Sequence, residues 1–335
     1  MKAFGFTGPF SQEEQNYVEQ LDVAIPSPNG NDILVEVKAV GINPVDTKVR
    51  ERGSAIKDAP VILGYDAAGI VKAFGDKASR FQVGDEVFYA GLVSRAGSFS
   101  ECQLVDERIV GFKPKSISFA ESAAMPLTSI TAWELIFERF GIEKSKDARG
   151  VLLVIGGAGG VGSMMTQLAS KMTNLTVIAT ASRPDTVDWC KKMGATHVIS
   201  HRENLVNQIK ALGIKHIDYA AGLTRTDLHF GAMIDLLKPG GKIGIIDDPG
   251  TLDVSLMKPK SISFHWEFMF TRAMFETDDM IEQANLLDAV SKMIDDGVLQ
   301  STKTKDFGEM NVENLNKALV YQASGTAIGK SVLTV

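Results

Sequence analysis

The sequence has few of the residues that bind metals or form cross-links. Its 335 residues include two cysteines, Cys102 and Cys190, and five histidines, the first of which is His197. Two cysteines cannot build a disulfide framework, and a zinc site usually needs three or four sulfur or nitrogen ligands. The first hundred residues therefore cannot supply such a site, and the two thiols are expected to be reduced.

Clustered positive charge and long apolar runs are also missing. The net charge is −6, and the Lys and Arg residues form no dense run. Since nucleic-acid binding needs clustered basic residues, no nucleic-acid partner is expected. The start of the chain lacks the apolar run of a signal peptide, and the uncharged stretch 150–170 contains six glycines, which favours a strand, turn and helix over a membrane span. These absences predict a soluble cytoplasmic protein with no membrane contact.

The spacing of apolar residues changes along the chain. Residues 1–124 contain short apolar stretches between Gly, Pro, Asn and Asp, as in a β-rich domain. From Val151 onward, apolar stretches alternate with helical periodicity, which is typical of an α/β fold with a doubly wound parallel sheet. Six strands are predicted, at 151–155, 177–181, 197–199, 217–221, 242–246 and 262–265.

The last part of the chain does not extend this sheet. A helix spanning Met280 to Ile294 is predicted, followed by a strand near 302–305, a helix at 312–323 and a strand at 331–335. We therefore predict a discontinuous first domain, residues 1–124 and 273–335, and a nucleotide-binding domain, residues 125–272.

A glycine motif follows the first strand of the nucleotide-binding domain. Gly157, Gly159 and Gly162 form a G-x-G-x-x-G pattern, with Gly160 and Val161 between them. In such motifs the first glycine allows a tight turn, the second lets the backbone approach a pyrophosphate, and the third permits close packing of the helix. The pattern predicts dinucleotide binding; the alternative is a glycine-rich turn without a ligand.

The end of the second strand indicates which dinucleotide is bound. An NAD-preferring site usually has Asp or Glu there, whereas this chain has Ser182 and Arg183. Hydroxyl and guanidinium groups can donate to a 2′-phosphate, so NADPH is the predicted cofactor. Alternatively, Arg183 is a solvated surface charge and selection is weak. His201, after the third strand, either flanks the adenosine or lies on the surface.

Several motifs together resemble the medium-chain dehydrogenase/reductase superfamily, especially its quinone oxidoreductase branch and the zinc-type alcohol dehydrogenase-like proteins. They are GINPVDTK at 41–48, ILGYDAAG at 62–69, VGDEV at 83–87, PLTSITAW at 126–133, the glycine motif, LKPGG at 237–241 and GKSVL at 329–333. The resemblance implies a GroES-like domain joined to a Rossmann domain, an active site in the cleft between them, and a homodimer. Gly222, Ile246 and Lys330 complete the expected cofactor-binding residues.

The chain departs from the zinc-dependent members of that superfamily. Asn43 stands where they have a cysteine ligand, Tyr65 stands where they have a histidine, and residues 88–102 contain one cysteine rather than four. Asp46 and Asp66 remain as oxygen ligands, but two carboxylates without imidazole or thiolate make a poor zinc site. No bound metal is therefore expected.

The resemblance also assigns candidate catalytic residues. Asn43 and Thr128 would line the nicotinamide or substrate cleft, Asp46 would orient the loop of Asn43, and Tyr65 or Lys48 would donate a hydrogen bond to the acceptor. Each has a structural alternative: residues 43–46 could form a turn, Tyr65 could be a packed aromatic residue, and Thr128 could cap a helix beginning near Ala132.

Without a metal, reduction of an electron-poor acceptor is the easier hydride transfer, because a conjugated oxygen takes up the charge. We therefore predict an NADPH-dependent, zinc-independent oxidoreductase acting on a small quinone or an activated enone or enal. A zinc-dependent alcohol dehydrogenase is one alternative. A non-catalytic NADPH-binding protein, crystallin-like or redox-sensing, is the other.

Overall fold

Two compact units make up the computed structural model, which describes residues 1–8, 10, 16–53 and 60–335. The first unit is Met1–Ile130 with Phe270–Val335, and the second is Thr131–Met269. The sequence suggested divisions after residues 124 and 272. In the structure, the first segment of the first unit ends at Ile130, inside a helix that begins at Pro126. A division placed before the helical pattern, at residue 124, therefore differs from the observed one by six residues.

The strands are numbered in chain order. They are β1 (Lys2–Phe6), β2 (Glu19–Asp22), β3 (Asp32–Gly41), β4 (Val61–Ile62), β5 (Ala67–Phe74), β6 (Glu86–Tyr89), β7 (Cys102–Asp106), β8 (Val110–Phe112), β9 (Arg149–Ile155), β10 (Asn174–Thr180), β11 (His197–Ile199), β12 (Ile217–Gly222), β13 (Leu237–Ile245), β14 (Ser263–Trp266), β15 (Lys303–Glu309) and β16 (Lys330–Thr334).

The α-helices are numbered in the same way. They are α1 (Pro44–Arg52), α2 (Phe119–Ala123), α3 (Pro126–Trp133), α4 (Gly160–Met172), α5 (Pro184–Lys192), α6 (Leu205–Ala211), α7 (Thr226–Leu236), α8 (Thr271–Met274), α9 (Glu282–Asp295) and α10 (Val312–Ala323). Glu107–Ile109 and Val254–Lys260 form 3₁₀ turns, and Glu134–Arg139 is π-helical.

The first unit is the β-rich domain that the sequence predicted. Its larger sheet has the order β15-β16-β3-β5-β6-β8, with β7 paired to β3, and a smaller sheet has the order β2-β1-β4. The strand pairs are antiparallel except β15 with β16. Strands β15 and β16 therefore belong to this unit. This agrees with the prediction that the chain returns to its first domain after the nucleotide-binding domain.

The second unit contains the predicted doubly wound sheet. Its six strands are parallel, in the order β11-β10-β9-β12-β13-β14. The strand order reverses between β9 and β12, and ligands bind open sheets of this kind beyond the carboxyl ends of the strands at such a point. The glycine motif follows β9 directly, so the sheet places it at this crevice.

Helices cover both faces of the parallel sheet. Residues of α6 and α7, including Ile209 and Phe230, pack on buried strand residues such as Ile243 on one face. Contacts of α4 with β9 and β10 cover the other. The uncharged stretch 150–170 is thus a strand and a helix, as predicted. No helix in the described part of the chain is long and apolar enough to cross a membrane.

Two acidic side chains are buried together in the second unit. Glu134 lies in the π-helical segment and Glu267 follows β14, and both are almost inaccessible. Each carboxyl group disfavours the ionised form of the other, and Arg139 Nε donates to Glu267 Oε2 at 2.9 Å. Burial, and then the neighbouring Glu134, raise the pKa of Glu267 to about 9. One arginine faces two carboxyl groups, so the pair holds a proton at neutral pH.

Replacing Glu267 with glutamine, which has the same shape and no charge, should stabilise the protein. Because the folded-state pKa of Glu267 is raised, folding takes up a proton above the unfolded-state pKa near 4.5, and stability falls as the pH rises toward 9. Glu267→Gln should therefore raise the free energy of unfolding by about 1–3 kcal/mol at pH 8 and by almost nothing at pH 4.5. Denaturant unfolding across this pH range measures the difference.

Glu138→Gln, which changes an exposed carboxylate of the same helical segment, is the matched control. An equal stabilisation by Glu267→Gln at both ends of the pH range would contradict the shared proton.

Candidate active site

The glycine motif forms a tight turn between β9 and α4. The left-handed residue of this turn is Gly156, with φ of +85°, one position before the motif begins. Gly156 N donates to Thr180 Oγ1 at 2.9 Å, and Gly157 N donates to Thr180 O at 3.1 Å. The motif predicted the tight turn at Gly157; this is corrected by the structure, in which the residue with positive φ is Gly156.

Gly157 and Gly162 are required by packing. A Cβ on Gly157 would lie 2.6 Å from the Ala179 side chain, and one on Gly162 would lie 2.4 Å from the carbonyl oxygen of Gly156. Distances below 3.0 Å are not tolerated between these atoms, so neither position accepts a larger residue without movement of the backbone. The close helix packing expected for the third glycine is present.

Gly159 differs from both neighbours in the motif. A Cβ there would meet one atom within 4 Å, the Gly156 carbonyl oxygen at 3.6 Å, and its φ of −73° suits any residue. The fold itself does not require glycine at this position. Gly159 is the N-cap of α4, whose first residues are Gly160 and Val161, and it has no side chain with which to cap this end. The loop thus leaves a cradle at a helix N-terminus where an anionic group can approach the backbone.

Ser182 and Arg183 follow β10, as predicted, and Arg183 is the N-cap of α5. Arg183 Nε lies 3.4 Å from Asp185 Oδ1 in a partly exposed ion pair. His201 is exposed at the end of β11. Partial desolvation, and then His229, Arg202 and Arg183, lower the pKa of His201. These basic groups therefore lie near one another beyond the carboxyl ends of β10 and β11; the sequence analysis did not identify His229.

Gly222 and Ile246 lie at the ends of β12 and β13. Ile246 N donates to Gly222 O at 3.2 Å, and a Cβ on Gly222 would lie 2.5 Å from Thr226 Oγ1. Asp247 accepts hydrogen bonds from the backbone and side chain of Thr226 at 2.9 and 2.6 Å. Glycine at 222 is therefore explained by packing, and a cofactor contact there stays a prediction.

In the first unit, Asn43 and Asp46 lie at the start of a helix. Residues 43–46 are not an isolated turn: Pro44 is the first residue of α1 and Asn43 is its N-cap, an arrangement that proline favours. Asp46 Oδ2 accepts from Asn43 N at 2.7 Å, and Asp46 Oδ1 accepts from Gly64 N at 3.1 Å. Asp46 thus links the backbone of Asn43 to that of Gly64, and its role in catalysis stays a prediction.

Asp66 joins this loop to two distant segments. Its Oδ2 accepts from Asn43 Nδ2 and from Lys330 Nζ, both at 2.8 Å. Its Oδ1 accepts from Leu127 N at 2.7 Å and so caps the N-terminus of α3. Lys330 Nζ also donates to Asn43 Oδ1 at 2.5 Å and to Ile42 O at 2.7 Å. We call Asn43, Asp46, Asp66 and Lys330 the polar cluster.

The polar cluster is buried, and burial controls its charges. Asp46, Asp66 and Lys330 are at most 3% exposed. Burial raises the pKa of Asp46 to about 7, although the backbone N–H of Asn43 and the charge of Lys330 oppose the rise. Burial also raises the pKa of Asp66, and Lys330 opposes that rise too. The three donors of the Lys330 ammonium are all used within the cluster, so its predicted contact with the cofactor stays a prediction.

The other predicted catalytic residues surround the polar cluster unevenly. Tyr65 is fully buried, packs edge-on against Phe270, and its hydroxyl has no hydrogen-bond partner among the described residues. Burial, and secondarily Asp46, raise the pKa of Tyr65. Thr128 is buried and donates to Met125 O at 3.1 Å. It lies inside α3 and not at a helix start near Ala132, because the helix begins at Pro126. Lys48 lies on α1 and is partly exposed.

Zinc does not fit the polar cluster. Proteins bind Zn²⁺ through thiolate, imidazole and carboxylate groups, whereas here Asn43 and Tyr65 offer an amide and a phenol. The ammonium of Lys330 lies 2.8 Å from Asp66, where its charge would repel a metal ion. Within residues 1–8, 10, 16–53 and 60–335, no three His, Cys, Asp or Glu side chains are grouped as metal ligands.

Sequence reasoning missed two residues that organise these sites. Asp66 was considered only as a remnant of a metal site, although its position next to Tyr65 in the GYD motif could have drawn attention to it. Gly156 lies directly before the glycine motif, and the double glycine at 156–157 was its only signal. The hydrogen-bond partners of Asp66 include Lys330, which is far away in sequence. Gly156 makes its contact with Thr180 through a backbone atom.

Comparison with known proteins identifies the two halves of the chain. Residues 29–133 match the family model for the alcohol dehydrogenase GroES-like domain. Residues 160–284 match the model described as zinc-binding dehydrogenase. The predicted combination of a GroES-like and a Rossmann domain is thus confirmed.

Full-length relatives agree with the family models. A zinc-type alcohol dehydrogenase-like protein of Staphylococcus aureus is 43% identical, with all of both chains covered. The quinone oxidoreductase of Sus scrofa is 31% identical over 76% of this chain and 74% of its own. A crystal structure from Rhizobium etli, described as a candidate zinc-dependent alcohol dehydrogenase, is 46% identical with a TM-score of 0.93, and covers all of this chain and 98% of its own. The chain belongs to the medium-chain dehydrogenase/reductase superfamily and to its zinc-type alcohol dehydrogenase-like proteins.

Proposed function

We propose that this oxidoreductase uses NADPH, without zinc, to reduce a quinone or an activated enone or enal. One observation carries the cofactor part of this proposal: the fold does not require glycine at 159, yet a side chain there would fill the cradle at the N-terminus of α4. A pyrophosphate that approaches the backbone gives this glycine a reason. The basic groups near His201 and the absence of a carboxylate at Ser182 favour a 2′-phosphate.

The proposed roles of the chain's own residues follow from their placement. Gly157, Gly159, Gly160, Val161 and Gly162 would hold the pyrophosphate, and Ser182, Arg183 and His201 would hold the 2′-phosphate. A reduced nicotinamide supplies the hydride when it is bound.

In the first unit, the Tyr65 hydroxyl and the partly exposed Lys48 are the proposed donors to the acceptor oxygen. A neutral phenol with a raised pKa can donate a hydrogen bond while it keeps its proton. The chemistry of a conjugated acceptor suits such a site, because the electron pair spreads onto an oxygen that needs only hydrogen-bond donation.

The acceptor class rests on a relative's name and on the chemistry of the polar cluster. The relative from Sus scrofa is named a quinone oxidoreductase, and quinones are electron-poor acceptors. The Rhizobium etli protein is described as zinc-dependent, which supports the alternative of an alcohol dehydrogenase. The amide and ammonium of the polar cluster and the neighbouring phenol of Tyr65 argue against that alternative for this chain.

The function is tested by following NADPH and NADH oxidation in parallel with quinones, enones, enals and simple aldehydes as acceptors. We expect turnover with the conjugated acceptors, at least a 10-fold preference for NADPH, and unchanged rates after treatment with a zinc chelator. Arg183→Ala should weaken NADPH binding about 10- to 100-fold and NADH binding little, because it removes a charged donor to the 2′-phosphate.

Arg149→Ala is the matched control, since Arg149 lies at the opposite, amino end of the sheet in β9. Activity lost with the chelator and restored by zinc would establish the alcohol dehydrogenase. Tight NADPH binding without oxidation by any acceptor would establish a non-catalytic protein.

Gly159→Ala separates the cofactor role of the loop from its role in the fold. Since the new methyl group meets only one atom at 3.6 Å, the free energy of unfolding should fall by about 1 kcal/mol or less. NADPH affinity should fall at least 10-fold, measured by titration calorimetry. Gly231→Ala, at an open position in the middle of α7, should leave NADPH affinity unchanged and should raise the free energy of unfolding by about 0.5–1 kcal/mol, because alanine favours a helix over glycine. Unaltered NADPH affinity in Gly159→Ala would remove the main support for the cofactor site.

We further propose that the chain forms a homodimer through β14. This strand is at the edge of the six-stranded sheet, and the apolar side chains of Trp266 and Phe268 are 57% and 49% exposed beside it. An open strand edge can pair with the same edge of a second copy, and exposed apolar surface beside it favours that contact.

Sedimentation equilibrium should give twice the 36.2 kDa of one chain. Trp266→Glu should shift the equilibrium to monomer, because it places a charge in the interface. Leu228→Glu, which changes an exposed apolar residue of α7, is the control. A monomeric wild-type protein would disprove the proposal.

A further inference from the structure

The polar cluster contains a cation of its own. Lys330 Nζ lies between three oxygen atoms of different chemical types: the Ile42 carbonyl at 2.7 Å, the Asn43 amide oxygen at 2.5 Å and the Asp66 carboxylate at 2.8 Å. An ammonium group has three donors, and each donates to one of these acceptors. The side chains of Lys330 and Asp66 are 3% and 0% exposed, so water cannot replace these contacts.

We propose that the Lys330 ammonium is the resident cation of the polar cluster, where it acts as a positioning residue for Asn43 and for the N-terminus of α3. All of these residues belong to the first unit, and neither the cofactor nor the acceptor takes part in their contacts.

The ammonium and its three acceptors come from three separate segments of the chain. Ile42 and Asn43 connect β3 to α1, Asp66 precedes β5, and Lys330 begins β16, which pairs with β3. Asp66 in turn accepts from Leu127 N at 2.7 Å and so fixes the start of α3, which carries Thr128. A single buried ammonium therefore holds together the loop, the carboxylate and the helix.

The amide of Asn43 shows how tightly the ammonium specifies this arrangement. Its oxygen accepts from Lys330 and its nitrogen donates to Asp66 Oδ2 at 2.8 Å. A flipped amide would direct its NH₂ group at the ammonium and its oxygen at the carboxylate, two repulsive contacts. Lys330 and Asp66 thus select one orientation of Asn43.

The charges explain why a cation is needed. Asp46 and Asp66 are both fully buried, and burial disfavours their ionised forms. Lys330 lowers the pKa of both carboxyl groups against this effect. Removing the ammonium would leave Asp66 as a buried carboxylate without a counter-charge, which is strongly destabilising.

Chemical rescue tests the proposal. Lys330→Ala removes three methylene groups and the ammonium, which together correspond to propylammonium. We expect the variant to lose on the order of 10 °C in Tm. Propylammonium chloride should restore at least half of this loss with saturation, whereas tetramethylammonium chloride at equal ionic strength should not. The Tm of the wild-type protein and of Lys317→Ala, which changes an exposed lysine, should not respond to propylammonium.

A neutral pair keeps the test decisive if Lys330→Ala does not fold. Lys330→Met with Asp66→Asn removes both charges, and this double variant should have a higher Tm than Lys330→Met alone. Metal analysis of wild-type protein dialysed against zinc should find less than 0.1 zinc per chain.

Three results would overturn the proposal: a Tm for Lys330→Ala equal to that of wild type, no gain from Asp66→Asn in the Lys330→Met background, or one tightly held zinc per wild-type chain. None of these measurements uses turnover, so failure here is distinct from failure of the proposed reduction.

Discussion

The mutual burial of the Asp66 carboxylate and the Lys330 ammonium is the constraint on which the polar cluster depends. Either charge alone would be costly to remove from water, and together they offset each other only because every donor of the ammonium finds an oxygen. The geometry therefore permits few alternatives. The loop of Asn43, the residue before β5, the start of α3 and the first residue of β16 must all be in place for the pair to be satisfied.

The groups around this pair divide into satisfied and unsatisfied ones. Asn43, Asp46 and Asp66 form hydrogen bonds with one another and with the backbone. By contrast, the Tyr65 hydroxyl and the Ser129 hydroxyl are buried without a partner among the residues that the structure describes. Buried polar groups are rarely left in this state without a reason. The satisfied residues thus give the first unit its rigid framework, and the unsatisfied hydroxyls are the groups with hydrogen-bonding capacity left for a ligand.

Local sequence patterns predicted the elements but not the contacts between distant residues. The six parallel strands were predicted because each is an apolar run within a helix–strand alternation. Gly194 follows α5 closely with φ of +102°, and glycine in this conformation is a local signal for the end of a helix. The bond between Lys330 and Asp66, in contrast, joins residues 264 positions apart. No periodicity signals such a pair, and motif matching places Lys330 without showing which way its ammonium points.

The same limit explains the errors at α3 and at the glycine loop. The apolar pattern suggested a helix from Ala132, but the structure begins it at Pro126, where the Asp66 carboxylate supplies the cap from outside the helix. The pattern also gave no sign that residues Glu134–Arg139 would be π-helical. In the glycine loop, the left-handed turn falls at Gly156 because Thr180 fixes the two backbone N–H groups there.

The glycine motif shows that one sequence pattern can serve two different purposes. Gly157 and Gly162 are fixed by steric contact within the second unit, so they would be needed even if the protein bound nothing. Gly159 has space around it, so its lack of a side chain matters only if something else occupies that space. A similar separation applies to the polar cluster. Its positions follow from descent within a family of zinc-type alcohol dehydrogenase-like proteins. Its chemistry follows from the amide, carboxylate and ammonium groups that now stand there. Ancestry therefore explains where these residues lie, and the side chains themselves decide which reaction they can support.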